Sequence, residues 1–420
     1  MAPFVPGPPV AVDPESDLLR PWLAAARRVF GDHDPMDDDW LEARRELLRR
    51  NHNRLTAVMD GDAVAGTYRS WDVDLTLPGG GAVRADAITA VTVQPTHRRR
   101  GVLTALITAD LERAHDAGTP VGILIASEAQ IYGRYGFGVS TETVTWTLDV
   151  RVAALTRAAA ALAEGLRVDH VSDAELREVA PDVYRRGRQP GDIDRWDVLW
   201  DIVTGVRTGD PGNAKPGVAV VARDAAGVPQ GTLRYTLEAR WPERAVGSIV
   251  HVGLLDAATP AAHAALWGYL ANLDAVATVR AEDRALDDPL PWLFTDHRAA
   301  RQSGRADFLW TRLLDVPRCL AARRYERPGD VVLEVDDKHG WAGGRFALQV
   351  ADDGTAVCEP TTATADLELP VTVLSSVWLG GTDLRGATAA GLVDERRPGA
   401  ADRAAAMLRT STAPYSSTWF

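Results

Sequence analysis

The stretch Val91-Thr92-Val93-Gln94-Pro95-Thr96-His97-Arg98-Arg99-Arg100-Gly101-Val102-Leu103 constrains this chain more than any other. A β-branched run stops at a proline, three arginines and a glycine follow, and an apolar-periodic segment begins at Val102. That order predicts a strand, a tight basic turn and a helix N-terminus. Unpaired backbone N–H groups at a helix start bind anions, and arginines beside them add charge-assisted bonds to phosphate oxygens. The expected ligand therefore carries a phosphate or pyrophosphate. Neither Gly-Lys-Ser/Thr nor Gly-x-Gly-x-x-Gly is present, so the loop is neither a Walker A loop nor a dinucleotide fingerprint. The competing reading is an arginine-rich surface turn in a chain whose basic residues are nearly all arginine, a bias that fits a GC-rich genome.

The rest of the chain sets the context. With 420 residues it exceeds what one core usually serves, so two or three domains are expected. The net charge is 46 − 58 = −12, which disfavours nucleic acid as a partner and attracts cations. Cys319 and Cys358 are the only cysteines, with no CxxC pattern, so neither a disulfide framework nor a zinc site is expected and no metal ligands are assigned. Met1-Ala2-Pro3-Phe4-Val5-Pro6-Gly7-Pro8-Pro9 has no basic region followed by an apolar one. No segment offers the roughly twenty apolar residues of a membrane span. A cytoplasmic protein with no membrane partner is expected.

The pattern V-x-V-x-P-x-x-R-R-R-G-x-L resembles motif A of the GNAT superfamily of N-acetyltransferases, where such a loop holds the pyrophosphate of acetyl-CoA. A second stretch, Ile123-Leu124-Ile125-Ala126-Ser127-Glu128-Ala129-Gln130-Ile131-Tyr132-Gly133-Arg134-Tyr135-Gly136-Phe137-Gly138, is similar to the segment A-S-E-x-x-I-Y-G-R-F/Y-G-Y/F-G of the Eis (enhanced intracellular survival) acetyltransferases. The resemblance spans the chain and is most specific between residues 88 and 138. It implies an α+β fold of two tandem GNAT domains, the second degenerate, followed by a sterol-carrier-protein-like α+β domain. The corresponding ranges are 1–150, 151–300 and 301–420. It also implies a homo-oligomer, a hexamer by family analogy.

Element by element, residues 1–16 read as a loose proline-rich tail, and helices are expected over Leu18 to Phe30 and Asp38 to Arg50. Leu55 to Met59 and Val64 to Tyr68 read as a hairpin, and Asp72 to Leu77 and Val83 to Val93 continue as strands around Gly79-Gly80-Gly81. The basic turn and its helix follow, then a strand from Val121 to Ile125. Thr141 to Val150 alternates and is expected to close this first sheet.

Beyond it, Asp169 to Val179 and Trp196 to Val203 look helical, with Trp196 and Trp200 packing on one face. Ser248 to Leu255 leads into a helix near Ala261 to Leu273, repeating the strand–turn–helix logic. Its turn, Asp256-Ala257-Ala258-Thr259-Pro260, has no arginine and no glycine, so it could not hold phosphate in the same way.

Acetyl transfer from a thioester to an amine needs a held coenzyme, a polarised carbonyl, a base and an acid. For coenzyme binding the candidates are Val91, Thr92, Val93, Arg98, Arg99, Arg100, Gly101, Val102, Leu103, Ser127 and Glu128. Backbone N–H groups of Val91 and Val93 would polarise the thioester. The resemblance points to Tyr132 as the acid, with Tyr135 the neighbouring alternative. A phenol of ordinary pKa about 10 can protonate a thiolate whose conjugate acid lies near about 8.5.

The resemblance also makes the terminal carboxylate of Phe420 the base, with Glu128 the alternative. Asp32 matches a substrate-pocket aspartate, Trp40 is a further pocket candidate, and Ile125 stands where well-known members carry histidine. Trp419 replaces an acid at the penultimate position, so a more apolar pocket and a different acceptor range are expected. The function implied is acetyl transfer to small cationic amines such as aminoglycosides or polyamines. The alternatives are a protein lysine or N-terminal acetyltransferase and a non-catalytic coenzyme- or lipid-binding protein.

Overall fold

The computed structural model describes residues 4–50, 52–207, 216–242 and 246–420; Met1 to Pro3 of the proline-rich tail lie outside them. The first stretch comprises β1 (Val10–Ala11), α1 (Leu19–Val29), α2 (Asp38–Arg50), β2 (Arg54–Asp60), β3 (Ala63–Thr76), β4 (Ala82–Val93), α3 (Val102–Asp116), β5 (Val121–Ile125), α4 (Ala129–Tyr132) and β6 (Gly138–Val139). The middle stretch holds β7 (Glu142–Asp149), α5 (Arg157–Ala163), β8 (Arg167–Val171), α6 (Asp173–Gly187), α7 (Asp197–Thr204), β9 (Val218–Arg223), β10 (Pro229–Glu238), β11 (Ser248–Ala257), α8 (Pro260–Ala271), β12 (Val276–Arg284), α9 (Leu290–Leu293) and β13 (Ala300–Asp307). The last stretch holds β14 (Leu309–Leu313), α10 (Val316–Ala322), β15 (Gly329–Asp336), β16 (Gly344–Val350), β17 (Ala356–Pro360), β18 (Leu367–Pro370), α11 (Val371–Val377), α12 (Leu384–Ala389), β19 (Asp394–Glu395) and α13 (Ala400–Leu408).

These elements form two compact units. One contains 1–141, 308–411 and 419–420; the other contains 142–307 and 412–418. The first unit has two sheets, ordered β1-β2-β3-β4-β5-β14-β6 and β17-β16-β15-β18-β19. The second unit has one, ordered β13-β7-β12-β11-β10-β9-β8.

Several expectations change. The strand over Thr141 to Val150 does not close the first sheet: β7 pairs with β12 and β13, and the place beside β5 goes to β14. Period-two alternation identifies a strand but not its partner, and β14, buried at all five positions, suits an interior place better than its sequence position suggests. The proline-rich tail is not loose throughout, because Val10 and Ala11 pair with Ala57 and Thr56. The strand pieces at 64–68 and 72–77 are one 14-residue strand, β3, whose buried Trp71 continues the alternation.

In the middle stretch the helix expected from Asp169 starts at Asp173. Ser172 caps it by accepting from the Glu175 N–H at 3.1 Å, and 167–171 pairs as β8. Trp196 is the residue before α7 rather than a member of its face, whereas Trp200 is buried against Tyr184. No helix among the described residues is long and apolar enough to cross a membrane.

Two features of the first sheet open a gap between its central strands. β4 runs parallel to β5 only over Ala85 to Ile88, paired with Val121 to Leu124. Immediately beyond, β4 carries one extra residue against β3, since Thr67 faces Thr92 but Arg69 faces Thr89. Ala90 sits there at φ +50°, a left-handed value few non-glycine residues adopt. Thr67 donates its hydroxyl to the Ala90 carbonyl at 2.8 Å, satisfying a group the bulge takes out of the ladder. The consequence is a split between β4 and β5 that leaves one backbone edge of residues 89–93 unpaired by β5.

Candidate active site

A cavity of about 430 Å³ opens at that split. Its walls come from the end of β4 (Val91, Thr92, Val93), the basic turn (His97, Arg98, Arg99, Gly101), the start of α3 (Val102, Leu103, Thr104) and the segment Ser127 to Tyr135. Each wall has a local cause. Pro95 ends β4, and Gln94 is fixed by its side chain, which donates to the Ala25 carbonyl at 2.8 Å and accepts from Arg28 at 3.1 Å. His97 is held by Asp60 at 3.1 Å and by the edge of Phe4.

Arg99 takes φ +62° and Gly101 φ +86°; the second is a conformation glycine reaches without strain. Gly101 precedes α3 and offers no capping side chain, so the first N–H groups of α3 face the cavity unsatisfied by any cap. Arg98, Arg99 and Arg100 are exposed, and none pairs with an acid among the described residues. Together these are the elements of an anion cradle. Close seating of α3 depends on Gly66 in β3, where a Cβ would come within 2.5 Å of Val102 Cγ1.

On the opposite wall Tyr132 is buried to 7% exposure, its ring set edge-on to Phe137. No hydrogen bond engages its hydroxyl among the described residues. Burial, then the Glu128 carboxylate and Tyr135, push its phenol up to about 12, so it stays protonated at neutral pH. Tyr135 differs. Its hydroxyl is bonded to Thr104 at 2.9 Å, which ties it to the first turn of α3.

The turn carrying both tyrosines is buttressed from behind. Arg312 in β14 donates to the Tyr135 carbonyl at 2.7 Å and makes a two-bond ion pair with Asp337 at 2.8 Å, with both side chains at most 1% exposed. Gly136 (φ +88°) lies so near that a Cβ would meet Arg312 at 2.4 Å, and at Gly138 one would meet the α11 backbone. Sequence reasoning missed Thr67, Gln94 and Arg312. Only the glycines of 133–138 hinted at a close neighbour.

Of the residues singled out from sequence, Val91, Thr92, Val93, Arg98, Arg99, Gly101, Val102, Leu103, Ser127, Glu128 and Tyr132 share this cavity. Arg100 does not line it. Ile125 ends β5 opposite Leu309. Asp32 is engaged elsewhere: Arg27 grips its carboxylate with two bonds of 2.6 and 2.5 Å, holding it below the ordinary carboxylate range. Trp40 lies between the guanidiniums of Arg27 (4.6 Å) and Arg44 (4.9 Å). Phe420 meets Trp71 edge-on at 5.5 Å, and Arg69 covers the same indole at 4.9 Å. Burial, then Arg44, lower the Arg69 guanidinium to about 10. Among the described residues no group of three His, Cys, Asp or Glu is arranged to hold a metal ion. Cys319 and Cys358 are buried free thiols away from the cavity, both pushed up by burial.

Residues 14–140 and 191–316 each match an acetyltransferase (GNAT) domain, and residues 316–417 match a sterol carrier protein domain. An uncharacterized N-acetyltransferase of Streptomyces avermitilis is 42% identical over 370 residues, 87% of this chain and 88% of that one. The N-acetyltransferase Eis of Mycobacterium tuberculosis is 37% identical over 326 residues, 76% of this chain and 77% of that protein. Among solved structures, Eis1 from Mycobacterium abscessus superposes with a TM-score of 0.84 at 30% identity, covering 99% of this chain and all of that one.

Proposed function

Because the chain belongs to the Eis family of GNAT N-acetyltransferases, we propose that it transfers acetyl from acetyl-CoA to a primary amine of a small cationic molecule by direct attack. The observation carrying this reading is the shared cavity. The anion cradle of Arg98, Arg99 and the α3 N-terminus faces a protonated phenol, Tyr132, that no other group engages.

The cradle's donor chemistry fits a pyrophosphate. When bound there, acetyl-CoA supplies the thioester. Residues 91–93 present backbone N–H groups beyond the bulge, where β5 no longer pairs, and these would polarise the acyl oxygen. Tyr132 donates its proton to the departing thiolate; its raised pKa keeps the proton in place at neutral pH until the leaving group needs it, and makes the phenol a weaker acid than a free one. The Phe420 carboxylate is the base in this reading. Its ring is seated edge-on against Trp71, and its carboxylate would accept the ammonium proton.

The acceptor class rests on the net charge of −12 and on the acids that follow Asp32, namely Asp34, Asp37, Asp38 and Asp39, Asp32 itself being bonded to Arg27. A second acceptor class, aromatic or anion-bearing amines, is favoured by Trp40 between two arginines and Arg69 over Trp71. Thiol release from acetyl-CoA with a panel of aminoglycosides, polyamines and neutral or acidic aromatic amines separates the two. Release with none of them overturns the proposed activity. Extending the chain past Phe420 by a short tag is expected to cut kcat at least tenfold while coenzyme affinity holds, as for loss of a general base; an unchanged kcat removes Phe420 from the reaction.

A further inference from the structure

The second unit repeats the architecture that makes the coenzyme cleft. β11 runs parallel to β12 only over Ser248 to Val252, paired with Val276 to Ala281. Just past this, β11 carries one extra residue against β10, since Arg234 faces Leu254 and Tyr235 faces Val252. The strands part as β4 and β5 do, and a cavity of about 400 Å³ lies at the split, walled by Leu255 to Ala257, His263 of α8, and Arg284 to Pro289 beyond β12. The end of α6 and the turn after it (Tyr184, Gly187, Gln189, Asp192) form another wall, and the chain's own C-terminal segment completes the cavity through Thr412, Ala413, Tyr415 and Ser417.

That segment is bound, not merely adjacent. Tyr415 is 7% exposed, Ser416 0% and Thr418 1%, although none belongs to a helix or strand. The Tyr415 N–H donates to the Pro190 carbonyl at 2.6 Å, and its hydroxyl to the Asp283 carbonyl, at the end of β12, at 2.7 Å. The Ala413 N–H donates to Asp287 at 2.7 Å. From the other strand, Asp256 at the end of β11 holds Arg195 at 2.7 Å, and Arg195 donates to the hydroxyls of Ser417 at 2.7 Å and Thr418 at 3.1 Å. Arg195 is itself fixed beneath the Tyr184 ring at 3.9 Å. The segment thus bonds directly to the end of β12 and, through Arg195, to the end of β11.

We infer that the second GNAT fold works as a clamp for the chain's own C-terminus, its cleft holding Thr412 to Thr418 so that Phe420 is delivered in a fixed position. Tyr415, Arg195 and Ser417 are positioning residues; none touches the reacting atoms. The inference rests on the reading of Phe420 as the base, and it gives the degenerate domain a use. Asp256 stands where a phosphate cradle would need a cation, and there it orients the arginine that grips the tail. Downstream of the grip, Trp419 packs on Phe308 and Phe420 on Trp71. A tethered carboxylate keeps a high effective concentration at its site, and a freed one does not.

The test uses the full chain and two readouts: hydrogen exchange of the bonded tail amides, Ala413 and Tyr415, and kcat with the coenzyme dissociation constant. In the wild type these amides are expected to be protected like those of β11. Tyr415→Ala should speed their exchange and lower kcat, each by roughly tenfold or more, with coenzyme affinity within about twofold. Should that variant fail to fold, Tyr415→Phe and Ser417→Ala each remove one hydrogen bond and should loosen the tail by roughly two- to tenfold. Tail amides that exchange freely in the wild type overturn the clamp. A loosened tail with unchanged kcat, in a protein that loses activity when tagged past Phe420, overturns the positioning role. If tagging leaves kcat unchanged, the base assignment falls, while protection lost in Tyr415→Ala still supports the clamp.

Discussion

Between β4 and α3 the turn carries Arg98, Arg99 and Gly101; between β11 and α8 it carries Asp256, Thr259 and Pro260. The surrounding strands part in the same way, after a parallel stretch and one extra residue in the longer-running strand. What differs is the chemistry at the helix start. Gly101 caps nothing, leaving the N–H groups of α3 for an anion. At α8 the Thr259 hydroxyl accepts from the Ala262 N–H at 3.1 Å, Pro260 has no N–H to offer, and Asp256 repels what the arginines attract. Shared backbone geometry therefore makes a cleft in both places, and three or four turn residues decide what enters it. The first cleft is lined by the turn arginines and the uncapped start of α3; the second is walled in part by the chain's own C-terminal peptide.

The two units can be told apart most directly by their chemistry. Tyr132→Phe is expected to lower kcat by roughly 10²–10⁴ through loss of the acid, with coenzyme affinity little changed. Tyr269→Phe, in α8 of the second unit, removes only a hydroxyl bonded to Tyr235 and His170 and should leave both parameters alone. Tyr269 lies outside the second cavity and serves as a control for loss of a half-buried phenol hydroxyl; steady-state kinetics with a calorimetric dissociation constant decide it, and equal losses in the two variants would deny Tyr132 a role of its own.

The next effect is on pH dependence. Asp192 lines the second cleft at 3% exposure, and burial pushes its carboxyl from 3.8 up to about 6, even though the Gln189 N–H bonds to it. The folded state therefore binds this proton more tightly than the unfolded chain does. Stability from this group is greatest below pH 3.8, falls by up to about 3 kcal/mol as pH rises to 6, and is level above. Asp192→Asn stays neutral throughout. It should reduce the decline across that window and raise stability at pH 7.5, measured by urea denaturation at fixed pH values. A variant with the wild-type slope would place the burial cost elsewhere.

The sequence made some of this legible and hid the rest for identifiable reasons. The basic turn could be read because its meaning is local: strand, proline, arginines, glycine and helix lie within thirteen consecutive residues, Val91 to Leu103. The missing arginines of the second turn were visible for the same reason. What was not legible depends on residues far apart. Arg312 supports the Tyr132 turn from a strand that returns to the first sheet only after the whole second unit, and no periodicity announces that pairing. The grip on Tyr415 joins Pro190, Asp283 and the chain end in the same non-local way. At Asp32 the position was legible and the partner was not. A carboxylate chosen for its position is already committed to Arg27, five residues earlier on the adjoining helix.

The smallest effect lies in the backbone beneath the two helices. Gly66 in β3 lies under α3 and Gly231 in β10 under α8, each letting its helix approach the sheet. A Cβ at Gly66 would meet Val102 Cγ1 at 2.5 Å, the Thr92 carbonyl oxygen at 2.9 Å and Leu106 at 3.2 Å. The Thr92 contact is with backbone and cannot turn away, so strain passes into the bulge and the cavity wall. At Gly231 the nearest atoms are Leu266 at 3.0 Å and Ala262 at 3.1 Å, side chains that need give only a few tenths of an ångström. Gly66→Ala should therefore cost about 1–3 kcal/mol in denaturation and also weaken coenzyme binding, whereas Gly231→Ala should cost less than about 1 kcal/mol and leave binding unchanged. Chemical denaturation and a coenzyme titration on both variants read the difference. If Gly66→Ala binds coenzyme as the wild type does, the close seating of α3 on β3 is a packing feature alone, and the cradle owes its anion affinity to the turn arginines rather than to the position of the helix.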